Sequence, residues 1–318
     1  MFRGHSLSIV HNGNLVNTDE LRYEYEGRGH IFSTTSDTEV IAAILANEII
    51  HGHTVVEAIS FCMRSIRGSY AVIFMLDGVL YAFRDPLGIK PLCLGEFEDG
   101  GHIVASESVA LDAVGAKLIR DVAPGESIRL MADKVYPHQI MTAKSPAHCV
   151  FEYIYFARAD SVIDGISVYK VRQKTGFLLA GESPAHADIV SPVPDSGTAA
   201  ATGYAAASGI PFREALIKNR YTGRTFIMPT QGKREMAVRV KRNAGRGHIT
   251  GKSVVLVDDS IVRGTTSRRI IPPVREFGSS QVHTRVASPP ILAACSRATA
   301  LPTPGGVLFA YHAVGVCL

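Results

Sequence analysis

Residues 254–267 constrain this chain more than any other stretch. Four apolar residues, Val254-Val255-Leu256-Val257, run into Asp258-Asp259 and then into Ser260-Ile261-Val262-Arg263-Gly264-Thr265-Thr266-Ser267. A short, wholly apolar run reads as a strand buried on both faces, the kind found in parallel sheets. The two acids then stand at the C-terminal tip of that strand, where open α/β sheets bind their ligands. The loop behind them offers hydroxyls, a glycine and the free amides of a starting helix, which suits a phosphate group. Adjacent carboxylates would repel a phosphate unless they faced hydroxyls or a divalent cation, and a ribose with Mg²⁺ meets both conditions. A bare Asp-Asp pair would more often mark a capped helix with exposed acids. The complete string favours the ligand.

The same pattern recurs upstream. Ala187 to Val190 reads as a second buried strand, and Val193-Pro194-Asp195-Ser196-Gly197-Thr198-Ala199-Ala200 follows it. Small residues there let the backbone approach a pyrophosphate closely, with a helix N-terminus behind, although Asp195-Ser196-Gly197 alone could be an ordinary turn. Net charge points the same way. The chain carries +4, but Arg213 to Arg246 holds ten Lys or Arg against Glu214 and Glu235, leaving the remainder negative. A concentrated basic segment suits an anionic ligand, or else a solvated face. Lys218, Arg220 and Arg224 lie there beside Gly223, a candidate hinge, and mobile cations of this kind could stabilise a departing pyrophosphate as a loop closes.

The first part of the chain follows a different grammar. Leu7 to Val10 is a short strand that the turn-formers His11-Asn12-Gly13-Asn14 are expected to halt, exposing backbone amides. Ser36 caps a helix that begins Asp37-Thr38-Glu39. Tyr70 to Leu76, Asp77-Gly78 and Val79 to Phe83 spell a hairpin, and Arg84 to Gly88 turns the chain again. These features predict antiparallel sheet with helices. Ala143 to His148 is the most linker-like stretch, placing a boundary near residue 146.

At 318 residues and 46% apolar, the chain has material for about two domains of roughly 150 residues each. It contains no apolar run of membrane-spanning length, and its opening lacks a signal-peptide layout, so a cytoplasmic protein is expected. Five scattered cysteines, Cys62, Cys93, Cys149, Cys295 and Cys317, fit a reducing compartment better than a disulfide framework. No zinc-finger spacing or aromatic RNA-binding signature points to nucleic acid.

The string 254–267 resembles the 5-phosphoribosyl-1-pyrophosphate (PRPP) motif of type I phosphoribosyltransferases. Together with Glu152-Tyr153-Ile154-Tyr155-Phe156-Ala157-Arg158, Pro192 to Thr198 and Ile217 to Ile227, it resembles the amidophosphoribosyltransferase family over most of residues 5 to 290. The resemblance implies a mixed α/β and α+β chain. Residues 1–146 would be part of an N-terminal-nucleophile (αββα) glutaminase domain, 147–291 a type I phosphoribosyltransferase domain with a parallel sheet, and 292–318 a divergent tail. It implies that glutamine, PRPP and water give 5-phosphoribosylamine, glutamate and pyrophosphate, the committed step of purine synthesis. Asn12 and Gly13 would form the oxyanion hole, Asp37 would bind the α-amino group of glutamine, and Ser196, Asp258 and Asp259 would hold Mg²⁺. Asp195, Gly197, Ser260, Arg263, Gly264, Thr265, Thr266 and Ser267 would complete the PRPP site. Homo-oligomers and inhibition by purine nucleotides are further implications.

Two departures qualify the resemblance. The family's nucleophile is an N-terminal cysteine, whereas this chain starts Met1-Phe2 and every cysteine lies beyond the oxyanion segment, so no glutaminase activity is expected and ammonia would be the donor. Some members carry a [4Fe-4S] cluster on four cysteines. Cys149 and Cys295 match two of those positions, and an incomplete set is not expected to hold a cluster. After Ile291 the sequence diverges, which suggests a frame change or gene fragment. The competing readings are a non-catalytic PRPP or nucleotide binder and an inactive fragment.

Overall fold

The computed structural model describes residues 4–131, 134–218, 242–244, 246–261, 265–290 and 295, with the main chain alone at 218, 242–244, 246, 265–267 and 269. The chain divides into two compact units: the described residues within 4–152 and 160–166, with 295, make up the first, and those within 153–159 and 167–290 the second.

In the first unit, β1 (Leu7–Leu15), β2 (Gly68–Leu76), β3 (Val79–Arg84), β7 (Glu126–Leu130) and β8 (Val135–Gln139) form an antiparallel sheet in that spatial order. Helices α1 (Thr18–Gly27), α2 (Asp37–Ile50) and α3 (Val55–Ser65) connect β1 to β2. One sheet face packs Tyr70, Val72, Phe74 and Phe83 against Ile41, Ile44 and Ile59 of the helices. The opposite face packs Ala71, Ala82 and Ile128 against Leu92, Leu94 and Val122. Leu94 belongs to a second antiparallel sheet of β4 (Cys93–Glu96), β5 (His102–Ala105) and β6 (Lys117–Asp121), with α4 (Ser108–Ala113) between β5 and β6. Alternation of inward side chains along each strand supplies both interfaces.

The expected hairpin is present. Asp77 and Gly78 both take positive φ, 49° and 82°, which matches the twist of the flanking strands. Ser36 caps α2 by accepting from the Thr38 amide. The turn expected at His11–Asn14 is not there. β1 runs unbroken to Leu15, pairing Asn12 with Ala71 and Gly13 with Tyr70. Nine residues of antiparallel pairing outweigh the local turn preference, and Gly13 makes that pairing sterically feasible, because a Cβ there would stand 2.0 Å from the Ser69 carbonyl oxygen.

After a π-helical turn at Glu152–Phe156 and the short pair β9 (Val162–Ile163) and β10 (Ile166–Ser167), the second unit follows α/β grammar. Strands β11 (Ile189–Pro192), β14 (Ser253–Asp258) and β15 (Gln281–Val286) form a parallel sheet with β14 central. The first of these lies two residues later than the expected Ala187–Val190. Its boundary is set by pairing of Ile189 with Val254. Along β14, Val254 and Leu256 pack with Ile270 and Val274 of α7 (Thr265–Glu276), while Val255 and Val257 pack with Ala201 and Tyr204 of α6 (Thr198–Ser208). Both faces are covered, which is why the strand has no polar alternation. Helix α5 (Val168–Glu182) packs beside α6. Strands β12 (Leu216–Lys218) and β13 (Arg242–Ala244) pair antiparallel, Lys218 opposite Arg242.

Candidate functional site

The tip of β14 gathers the upstream loop and the acid pair. The Val193 amide donates to the Val257 carbonyl at 2.9 Å, and the Gly197 amide turns back to Val193 at 3.1 Å. A Cβ on Gly197 would stand 2.4 Å from the Val257 oxygen and 3.3 Å from the Asp258 Cα, so the loop lies directly on the acids. On the other side, the Ala287 and Ser288 amides donate to the carbonyls of Asp258 and Asp259 at 3.0 and 2.8 Å. The acid pair is thereby fixed from both neighbouring strands.

Asp258 and Asp259 are 5% and 6% exposed. Oδ1 of Asp258 accepts from the Asp259 amide at 3.0 Å, and Oδ1 of Asp259 accepts from the Ser260 hydroxyl at 2.8 Å. Oδ2 of Asp259 is buried without a hydrogen-bond partner among the described residues. A carboxylate oxygen left that way in an interior is costly unless a ligand, ion or water completes it. Ser196 and Asp259 line one small cavity of about 20 Å³ with Arg172 and Thr175. Asp195 is exposed at the loop apex, and Thr198 starts α6 immediately behind, its amide donating to the Asp195 carbonyl at 3.3 Å. Thr265, Thr266 and Ser267 form the first turn of α7 by main chain. Arg220, Arg224, Arg263 and Gly264 lie outside the described residues, and Lys218 is described by main chain alone.

A second constellation forms in the first unit. Asp37, at the start of α2, accepts the Leu15 amide on Oδ2 at 3.1 Å and has the His11 ring 3.5 Å from Oδ1. Burial pushes the Asp37 carboxyl up. Hydrogen bonds from His11 and Leu15 outweigh that and hold it below its ordinary range. Asn12 is exposed on β1 and reaches the Ser106 hydroxyl at 3.4 Å. Glu39 orders the loop leading to Asp37, accepting from the Ser33 amide, the Thr34 amide and the Thr34 hydroxyl at 2.7, 2.8 and 2.7 Å.

Sequence reading passed over Arg172, Thr175, Glu39 and Ser288. Ser288 lies just past the tip of β15 as Asp259 lies just past the tip of β14, so the same rule of strand tips would have found it. Its hydroxyl is buried and unpartnered among the described residues. Cys149 is half-buried and Cys295 exposed. No three His, Cys, Asp or Glu side chains converge as a metal site among the described residues. The two acids and the Ser196 hydroxyl are hard oxygen donors of the kind Mg²⁺ takes when substrate oxygens and water complete its shell. Among described residues, no helix is long and apolar enough to cross a membrane.

Residues 1–113 match the family model of a glutamine amidotransferase domain. The chain is 51% identical over 289 residues to the amidophosphoribosyltransferase of Archaeoglobus fulgidus, covering 91% of this chain and 63% of that protein. It is 46% identical over 311 residues to the enzyme of Pyrococcus horikoshii, covering 98% and 68%. Its backbone superposes on the glutamine PRPP amidotransferase of Bacillus subtilis complexed with ADP and GMP, with a TM-score of 0.89, 43% identity and coverage of 98% and 68%. The chain thus spans about 63% of the length of the Archaeoglobus relative. At 46% identity to a relative of which it covers 68%, the chain belongs to the amidophosphoribosyltransferase family.

Proposed function

We propose that the second unit is a PRPP site and that this chain forms 5-phosphoribosylamine from PRPP and ammonia. This is the half-reaction that family members would couple to glutamine hydrolysis. The observation that carries this reading is the buried pair Asp258–Asp259 at the end of the central parallel strand, with the Val193–Gly197 loop laid on it. Asp258 and Asp259 would take the ribose hydroxyls and, with Ser196, a magnesium ion. Magnesium, when bound, supplies charge neutralisation for the departing pyrophosphate. The Ser196 amide and those of the first turn of α6 would hold the pyrophosphate, and those opening α7 the 5′-phosphate. Departure of pyrophosphate leaves positive charge at the ribose C1, which the nearby carboxylates would stabilise until ammonia attacks.

Asn12, Gly13 and Asp37 would be the glutamine-binding part of the first unit. Lys218, Arg220 and Arg224 would supply cations to the pyrophosphate, and purine nucleotides would act as inhibitors of a cytoplasmic homo-oligomer. The test is Mg²⁺-dependent pyrophosphate release from PRPP with ammonium as donor. Turnover supports an enzyme. PRPP binding without turnover would instead support a non-catalytic binder, and absence of both would overturn the site.

A further inference from the structure

The cavity behind the acid pair has about 20 Å³ of room and is lined by Asp259, Ser196, Thr175, Arg172, Ala200 and Ala287 among others. That is space for a single water molecule, which needs two to four polar partners to be stable. Asp259 brings its buried Oδ2, unpartnered among the described residues. Thr175 donates its own hydroxyl hydrogen to the Val171 carbonyl at 2.9 Å, so its oxygen keeps lone pairs for an incoming donor. Ser196 contributes a hydroxyl that can donate.

We infer that this cavity is a water site and that Thr175 is a positioning residue for Asp259. The water donates one O–H to Asp259 Oδ2 and the other to Thr175 Oγ1, and accepts from the Ser196 hydroxyl. With Ser260 already on Oδ1 at 2.8 Å, both carboxylate oxygens are then held, and the orientation of Asp259 is set from α5 as well as from its own strand. Arg172 anchors that part of α5, donating to the carbonyls of Tyr153 and Ala157 at 2.7 and 2.8 Å. The inference rests on the reading of Asp258–Asp259 as PRPP-binding acids.

Calorimetric titration of Mg²⁺–PRPP into the whole chain tests it, using wild type, Thr175→Val, Thr175→Ser and Asp259→Asn, with melting temperatures measured alongside. Thr175→Val is isosteric and removes the water's acceptor. It is expected to weaken PRPP about five-fold, the size of one net hydrogen bond, without lowering the melting temperature. Thr175→Ser keeps the hydroxyl and is expected to bind as wild type does. Wild-type affinity in Thr175→Val, or equal weakening in Thr175→Ser, overturns the water site. Wild-type affinity in Asp259→Asn, or no binding by wild type itself, overturns the underlying reading instead. Should Thr175→Val fail to fold, Thr175→Cys, a poor acceptor of similar volume, carries the same expectation.

Discussion

A Cβ on residue 197 would stand 2.4 Å from the carbonyl oxygen of Val257 and 2.9 Å from that of Val193. Both obstacles are main chain and cannot rotate away. Gly197→Ala must therefore push the Val193–Gly197 loop off the strand tip. The expected outcome is a loss of stability of about 1–3 kcal/mol and at least a ten-fold loss of PRPP affinity. Gly181, inside α5 with no atom within 4 Å of its Cβ position, is the control. Gly181→Ala should be neutral or stabilising by up to about 1 kcal/mol, since alanine is the better helix former. Thermal unfolding and binding titration of the two variants decide the matter, and equal behaviour would mean that the loop is free to move.

Arg84 is 1% exposed and donates from Nη1 and Nη2 to the two carboxylate oxygens of Asp164 at 2.8 and 2.9 Å. It also donates to the carbonyls of Lys90, Val122 and Gly88. Removing Asp164 takes away the bidentate partner of a buried charge, and Asp164→Ala is expected to cost about 3 kcal/mol. Urea unfolding measures it. A change below about 1 kcal/mol would show that the neighbouring acids suffice.

The depressed Asp37 carboxyl makes stability depend on pH with a definite sign. A carboxylate held below its unfolded-state value stabilises the fold above that value, and the contribution is lost as pH falls through the folded-state value. Asp37→Asn should therefore be less stable than wild type at pH 7, with the gap closing as the pH falls below about 4. Denaturation midpoints at pH 7, 4 and 3 check this, and a gap that ignores pH would rule the charge out as its source.

Burial raises the described interior thiols. It pushes Cys93 up to about 12, with Asp121 adding to the effect, and moves Cys62 and Cys149 in the same direction. Raised thiols are poor nucleophiles at neutral pH. A disulfide exchange reagent should modify exposed Cys295 well before Cys62 or Cys93. Peptide mapping of the modified sites is the measurement. Modification of Cys62 or Cys93 as fast as Cys295 would show that burial does not protect the interior thiols.

Where the signal was local, the sequence was legible. Asp77-Gly78 specified its hairpin because few residues take positive φ at both turn positions, and Ser36 marked the start of α2 because its side chain caps the helix within two residues. Val254 to Val257 announced a doubly buried strand, and the acids at its tip followed from chain direction alone. His11–Asn14 misled, because the turn preference of four residues yields to pairing with β2, a partner more than fifty residues away.

Sequence by itself therefore determined which strand carries the acids and that small residues lie upstream of them, since both are properties of consecutive residues. Only the tertiary structure decided that Gly197 rests on Val257, that Thr175 and Arg172 of α5 reach the cavity behind Asp259, and that His11 faces Asp37. Those relations depend on the packing of separate elements at ångström separations, and no spacing along the chain encodes them.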